Sequence, residues 1–260
     1  MTALITHSAL LTRRSLTVLV RQPAYLLITL IQPMIWLLLF GQLFGKVIEI
    51  PGFESEGQSF MAFLTPGVVM MTALFSAAWA GTTFIEDMGL GVMDRMLASP
   101  VKRGALVNGT VIYQGIVSVA QTAVVIVVAY AAGARFGSPT VGILLTIVAA
   151  VLLTVVFAAL SNALALLTRQ QETLIGVSQL LGLPLTFLSS AIMDPTLMPE
   201  WIQNVAKYNP LDWAVLVSRE SLSATPDWNV ITTRGGALLA LAIVMSWLAT
   251  KAFGAYRKSV

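Results

Sequence analysis

The sequence predicts an all-α integral membrane protein with six transmembrane helices, and three observations carry that expectation. Of 260 residues, 57% are hydrophobic and 10% are charged, whereas a soluble domain carries about 25% charged residues. Six apolar runs reach or approach the roughly 20 residues that a helix needs to cross a hydrocarbon core of about 30 Å. None of the six holds Asp, Glu, Lys, Arg or His near its middle.

The chain divides into an N-terminal interfacial helix, 1–23, and a six-helix transmembrane domain, 24–260. Before the first span, Leu4, Ile5, Leu11, Leu16, Val18 and Leu19 alternate with Thr6, Arg13, Thr17 and Arg21, the modest amphipathicity of a helix lying along the inner membrane surface. Arg13 and Arg14 suggest a twin-arginine signal, but Arg21, Gln22 and Pro23 interrupt the apolar region that it requires. The spans are read at 24–44, 61–85, 105–132, 140–168, 173–191 and 235–253. Gly182 and Pro184 should kink the fifth, and Lys251 should snorkel from the short sixth to the interface. Small residues four apart, Ala73, Ala77 and Gly81, Ala129 and Gly133, Ala159 and Ala163, favour close helix contact.

Orientation follows from the cationic residues of the short loops. Arg13, Arg14, Arg21, Arg95, Lys102, Arg103, Arg169, Lys251, Arg257 and Lys258 fall on one side, against Lys46 and Arg135 on the other. Both termini are therefore expected in the cytoplasm.

That topology places a charged island, 86–104, on the inner side. Leu90, Met93, Met96 and Leu97 recur at helical spacing beside Asp94 and Arg95, and Pro100 ends any helix before Lys102 and Arg103. The pattern suits either docking of a soluble partner or an ordinary interfacial loop. On the outer side, 192–230 contains two candidate helices, 199–208 and 212–222, separated by Asn209 and Pro210. Each is too short to cross, so a helical hairpin dipping into the outer leaflet is expected, with Trp201 and Trp213 at the interface.

Catalysis in this chain is not expected. There is no cysteine and His7 is the single histidine, so thiolate or His-based sites cannot be assembled. The string GQLFGKV at 41–47 fails the phosphate-binding motif, with three residues between its glycines and no Ser or Thr after Lys46. Without an internal ATPase or an intramembrane ion relay, the energy for active transport must enter through another subunit. An ion-coupled carrier holding sodium on helices broken at Pro33, Pro66 and Pro184 is the alternative, and a membrane scaffold is a third reading.

The inner RMLASPVKRGALVNG and the outer NPLDWAVLVSRESL, set among the N-terminal helix and six spans, resemble the ABC-2 permease family, particularly bacterial drug-efflux permeases of the daunorubicin-resistance type with the type V exporter fold. Asp94, Arg95 and Met96 stand where the family more often has Glu-Arg-Leu. The resemblance implies a multi-pass permease of the bacterial inner membrane that pairs with a second permease, usually identical, and with two ABC ATPase subunits. ATP and Mg would be bound by those ATPases, with no cofactor in this chain and no nucleic-acid partner. It implies a coupling helix that includes Leu90, Met93, Asp94, Arg95, Met96, Leu97, Ser99, Pro100, Lys102 and Arg103. It implies a path for a hydrophobic substrate along Gln32, Trp36, Phe40, Thr72, Phe75, Ser76, Trp79, Gln179, Leu183 and Phe187. Trp201, Asn209, Pro210 and Trp213 would form the extracellular gate. Drugs, lipids, polysaccharides and glycolipids all remain open as cargo.

Overall fold

A computed structural model describes residues 2–21, 23–45, 59–98 and 104–256, and its described residues form helices joined by short turns. The order is α1 (Thr2–Arg21), α2 (Pro23–Ile35), a π-helical turn (Trp36–Phe40), α3 (Gly41–Leu43), α4 (Phe60–Ala78), α5 (Thr82–Gly89), α6 (Val92–Ala98), α7 (Gly104–Ala131), α8 (Pro139–Thr168), α9 (Gln171–Phe187), a 3₁₀ turn (Pro195–Leu197), α10 (Glu200–Ala206), α11 (Pro210–Leu222) and α12 (Trp228–Tyr256).

Among the described residues, four helical stretches are long and apolar enough to cross a membrane: Phe60–Gly89, Gly104–Ala131, Pro139–Thr168 and Trp228–Gly254. The third and fourth predicted spans agree with α7 and α8 to within a residue or two. The sixth is longer than expected, because α12 starts at Trp228. The fifth is shorter: α9 has 17 residues, about 26 Å at 1.5 Å per residue. It ends at Phe187 because Asn209 Nδ2 donates to the carbonyls of Leu185 at 2.7 Å and Leu188 at 2.9 Å, and Ser189 Oγ to that of Thr186 at 2.7 Å. These contacts satisfy terminal carbonyls without another helical turn. The helix continues through Pro184. The second span is interrupted at 79–81, a break absent from the sequence reading.

Helix α8 is the centre of the bundle, packing against α4, α7, α11 and α12. Its small and apolar residues Ala149, Ala150, Leu153, Ala158 and Ala159 are buried, so an apolar sequence with little amphipathicity is what its position requires. A Cβ on Gly142 would stand 2.4 Å from the Ser221 carbonyl oxygen, and glycine thereby brings α11 onto α8. One turn further, the hydroxyls of Thr146 and Ser218 share a buried hydrogen bond of 2.8 Å. Thr146→Val should cost about 1 kcal/mol by leaving Ser218 Oγ unpartnered, while Thr146→Val with Ser218→Ala should fall closer to neutral. Unfolding titrations across this double-mutant cycle test the pair.

Helix α1 lies on α7. Ser8 and Thr12 are buried, and Thr12 Oγ1 donates to the Gly109 carbonyl at 3.1 Å. Of the small-residue pairs, Ala73, Ala77, Ala129 and Ala159 are buried. Gly133 instead has φ +98° and no neighbour at its Cβ position. It caps α7 in the left-handed conformation, with Ala134 N donating back to Ala129 O at 2.9 Å.

Candidate functional site

The first predicted span carries Pro33 inside its helix and then a π-helical turn, Trp36–Phe40. Proline has no N–H to give the preceding turn, and π-turns absorb such irregularities frequently at functional sites. This segment forms one wall of a partly open cavity of about 390 Å³, lined by Ile28, Thr29, Gln32, Pro33, Trp36, Val68, Met71, Thr72, Phe75, Ser76, Trp79, Gln179 and Leu183. Three helices meet there: α2 with its π-turn, α4 and α9.

Eight residues that the resemblance assigned to a substrate path line this cavity: Gln32, Trp36, Thr72, Phe75, Ser76, Trp79, Gln179 and Leu183. Phe40 lies outside it, with its ring 4.5 Å from Trp36 and 5.3 Å from Phe44. Phe187 is exposed near the end of α9 and is also outside. Ile28, Thr29, Pro33, Val68 and Met71 are additions. Their signal was present in the spacing, since Ile28, Gln32 and Trp36, like Val68, Thr72 and Ser76, are separated by four residues and share a helix face.

The lining contains no charged residue. Trp36, Phe75 and Trp79 offer flat apolar surfaces, while Gln32, Gln179 and Ser76 offer polar groups, a combination suited to amphipathic molecules with a few hydrogen-bonding groups. Thr72 directs its hydroxyl to the Val68 carbonyl at 2.7 Å. Thr29 accepts from Gln121 Nε2 at 3.2 Å, which holds the cavity wall against α7.

At the α1 end of the bundle, Asp87 at the end of α5 is nearly buried and pairs with Arg14, whose Nη2 donates at 2.9 Å and Nη1 at 3.4 Å. This ties the N-terminal helix to the residues that lead into α6. Gly91, with φ +65°, makes the turn between α5 and α6. The apolar positions of the charged island divide there. Met93 is fully buried with Phe84, Leu106, Leu166, Leu174 and Phe253, and Met96 packs partly against that cluster. Leu90 is 72% exposed, and Arg95 is exposed with its Nε donating to the Gly91 carbonyl at 3.4 Å. Asp94 and Leu97 are on α6, while Ser99, Pro100, Lys102 and Arg103 lie outside the described residues.

At the opposite end, Asn209 is a buried junction. Its Oδ1 caps α11 by accepting from Leu211 N at 2.9 Å, and its Nδ2 closes α9. Pro210 occupies the first helical turn, where its missing N–H is harmless. The two predicted short helices exist, but α11 is packed among α4, α8 and α12. Trp201 on α10 is exposed, whereas Trp213 directs Nε1 to the Lys207 carbonyl at 2.8 Å. Sequence reasoning missed Arg219, whose Nη2 donates to Ser190 O at 2.8 Å and whose guanidinium lies 4.0 Å from the Phe63 ring centroid.

A family model described as ABC-2 type transporter matches residues 6–222. A ycf38 transport permease of Porphyra purpurea is 28% identical over 210 residues, covering 80% of this chain and 71% of that protein. The daunorubicin resistance ABC transporter permease DrrB1 of Streptomyces coeruleorubidus is 28% identical over 216 residues, 80% of this chain and 72% of its own. The inner membrane transport permease YadH of Escherichia coli K12 is 25% identical over 209 residues, 80% of each.

Proposed function

Since the chain belongs to the ABC-2 type transporter family, whose permeases work with ABC ATPase partners, we propose that it is the membrane subunit of an ATP-driven exporter of amphipathic drugs or lipids. The observation that carries this reading is the uncharged, aromatic-walled cavity between α2, α4 and α9. A similar permease bears a daunorubicin-resistance name, which makes that fluorescent compound a suitable probe.

The exporter contains two copies of this permease and two ATPase subunits in the bacterial inner membrane. Each permease crosses six times, with the first crossing formed by α2, the π-turn and α3 and the fifth by α9. Both termini face the cytoplasm, and α10 with α11 forms the outer hairpin. ATP and Mg bind the ATPases. Their closure moves α6, and through it the permease pair shifts from inward access toward outward release, with hydrolysis resetting the cycle. The Arg14–Asp87 ion pair, in which the carboxylate is nearly buried and the guanidinium half exposed, supports this role for α6, because it fixes the N-terminal helix to the segment that would move.

Purified permease is expected to bind daunorubicin with quenching of tryptophan fluorescence. Trp36→Ala and Trp79→Ala should each weaken binding about 10-fold by removing a stacking surface worth on the order of 1 kcal/mol beyond lost area. Gln179→Ala should weaken it about 3-fold. In proteoliposomes containing the ATPase, uptake should require ATP and survive collapse of ion gradients. Uptake that persists without ATP but stops with the gradient would replace this reading by an ion-coupled carrier.

A further inference from the structure

The interruption of the second span is built from specific hydrogen bonds. At 79–81 the α-helical pattern gives way: Ala80 N donates to Ala77 O at 3.0 Å, and Thr82 N to Trp79 O at 3.1 Å. The Ala78 carbonyl, which Thr82 N would occupy in an unbroken helix, instead accepts from Ser161 Oγ at 2.6 Å and Ser178 Oγ at 2.9 Å. The Gly81 N–H donates to Ser161 Oγ at 2.9 Å. Ser161 therefore sits in the break as a water would, accepting from one strand of backbone and donating to the other. Away from water, backbone groups freed by a break need partners of this kind.

The contact is too close to be incidental. A Cβ on Gly81 would stand 2.4 Å from the Ser161 carbonyl oxygen, so only glycine lets the break reach α8. No proline occupies 79–81, and nothing covalent prevents the α-helical bonds from forming. The break is therefore held by the inserted side chains of Ser161 and Ser178 and is not imposed by the covalent chain.

Its position gives it consequences. Ser76, just before it, and Trp79, its first residue, line the cavity, and Gln179, next to Ser178, lines the facing wall. After it, α5 runs to Asp87 and α6. Resting on the coupling role given above to α6, the geometry points to the 79–81 break as the joint through which α6 movement reaches the cavity, with Ser161 and Ser178 as positioning residues that hold its open arrangement.

Hydrogen exchange on the reconstituted permease–ATPase complex tests this, comparing the nucleotide-free state with that trapped by Mg-ATP and vanadate. In the wild type, exchange at the Gly81 and Thr82 amides should differ at least 10-fold between the two states. Ser161→Ala with Ser178→Ala should reduce the difference below 3-fold and abolish stimulation of ATP turnover by daunorubicin, while daunorubicin binding stays within 2-fold. Ser178→Thr, which keeps the donor, should behave as wild type. Equal exchange in the two wild-type states overturns the joint, as does normal stimulation in the double variant. If that variant does not assemble, the wild-type exchange comparison alone decides. Failure of the wild type to bind daunorubicin counts against the export reading and leaves the exchange difference to decide the joint.

Discussion

Arg219→Met is expected to destabilise the permease by about 1–3 kcal/mol, the range for leaving buried hydrogen-bonding groups without their partner. The guanidinium holds the Ser190 carbonyl at 2.8 Å and lies over Phe63. Asp212, nearly buried, accepts from Ser190 N at 2.7 Å, and Asp194, also nearly buried, accepts from Thr196 N at 2.9 Å. Both carboxylates supply favourable charge interactions to Arg219. Methionine can fill the apolar space beside Phe63 but leaves these acidic groups without their cation and Ser190 O without its donor. Arg219→Lys should keep the charge while losing the planar fork, and fall between the two. Combining Arg219→Met with Asp212→Asn should recover part of the loss, because it removes a stranded charge. Unfolding in mixed micelles measures the series, and a loss below about 1 kcal/mol for Arg219→Met would show that this cluster does not secure the end of α9.

That cluster also marks where the sequence stopped being readable. Helices α7 and α8 were legible because continuous apolar character and Pro139 define them locally. The 79–81 break was not: its cause is Ser161 and Ser178, about 80 and 100 residues away in the chain, and neither serine differs locally from an ordinary interhelical hydrogen-bonding residue. The Asn209–Pro210 turn was visible, yet the side chain's second task of closing α9 depends on a contact more than 20 residues distant. The cavity was mostly legible once its helices were grouped by resemblance, since residues four apart share a face. Its edge was not, because apolar periodicity assigns Phe40 and Phe187 to the same faces without saying how far the cavity extends. Met93 is the complementary case. Its spacing with Met96 and Leu97 indicated a common apolar side, but the cluster of Phe84, Leu106 and Phe253 assembles only when α5, α7 and α12 meet.

The division of that apolar side decides how coupling should be tested. Met93→Asp would place a carboxylate in a fully buried site, and its failure would report folding as much as docking. Leu90→Asp acts on a side chain already 72% exposed, so the free permease should retain its unfolding midpoint. If Leu90 is an apolar anchor for the ATPase, the substitution should cost 2 kcal/mol or more at the interface, about 30-fold in affinity. The ATPase recovered with the permease should fall in proportion, and ATP turnover should lose its response to substrate. Met96→Asp with Leu97→Asp should uncouple more completely, at some cost to the cluster against which Met96 packs. The decisive pattern is the contrast. Loss of ATPase with unchanged permease stability for Leu90→Asp assigns the exposed turn between α5 and α6 to docking. Normal ATPase recovery and substrate-stimulated turnover in both variants would remove the coupling role from this segment, however well it resembles one.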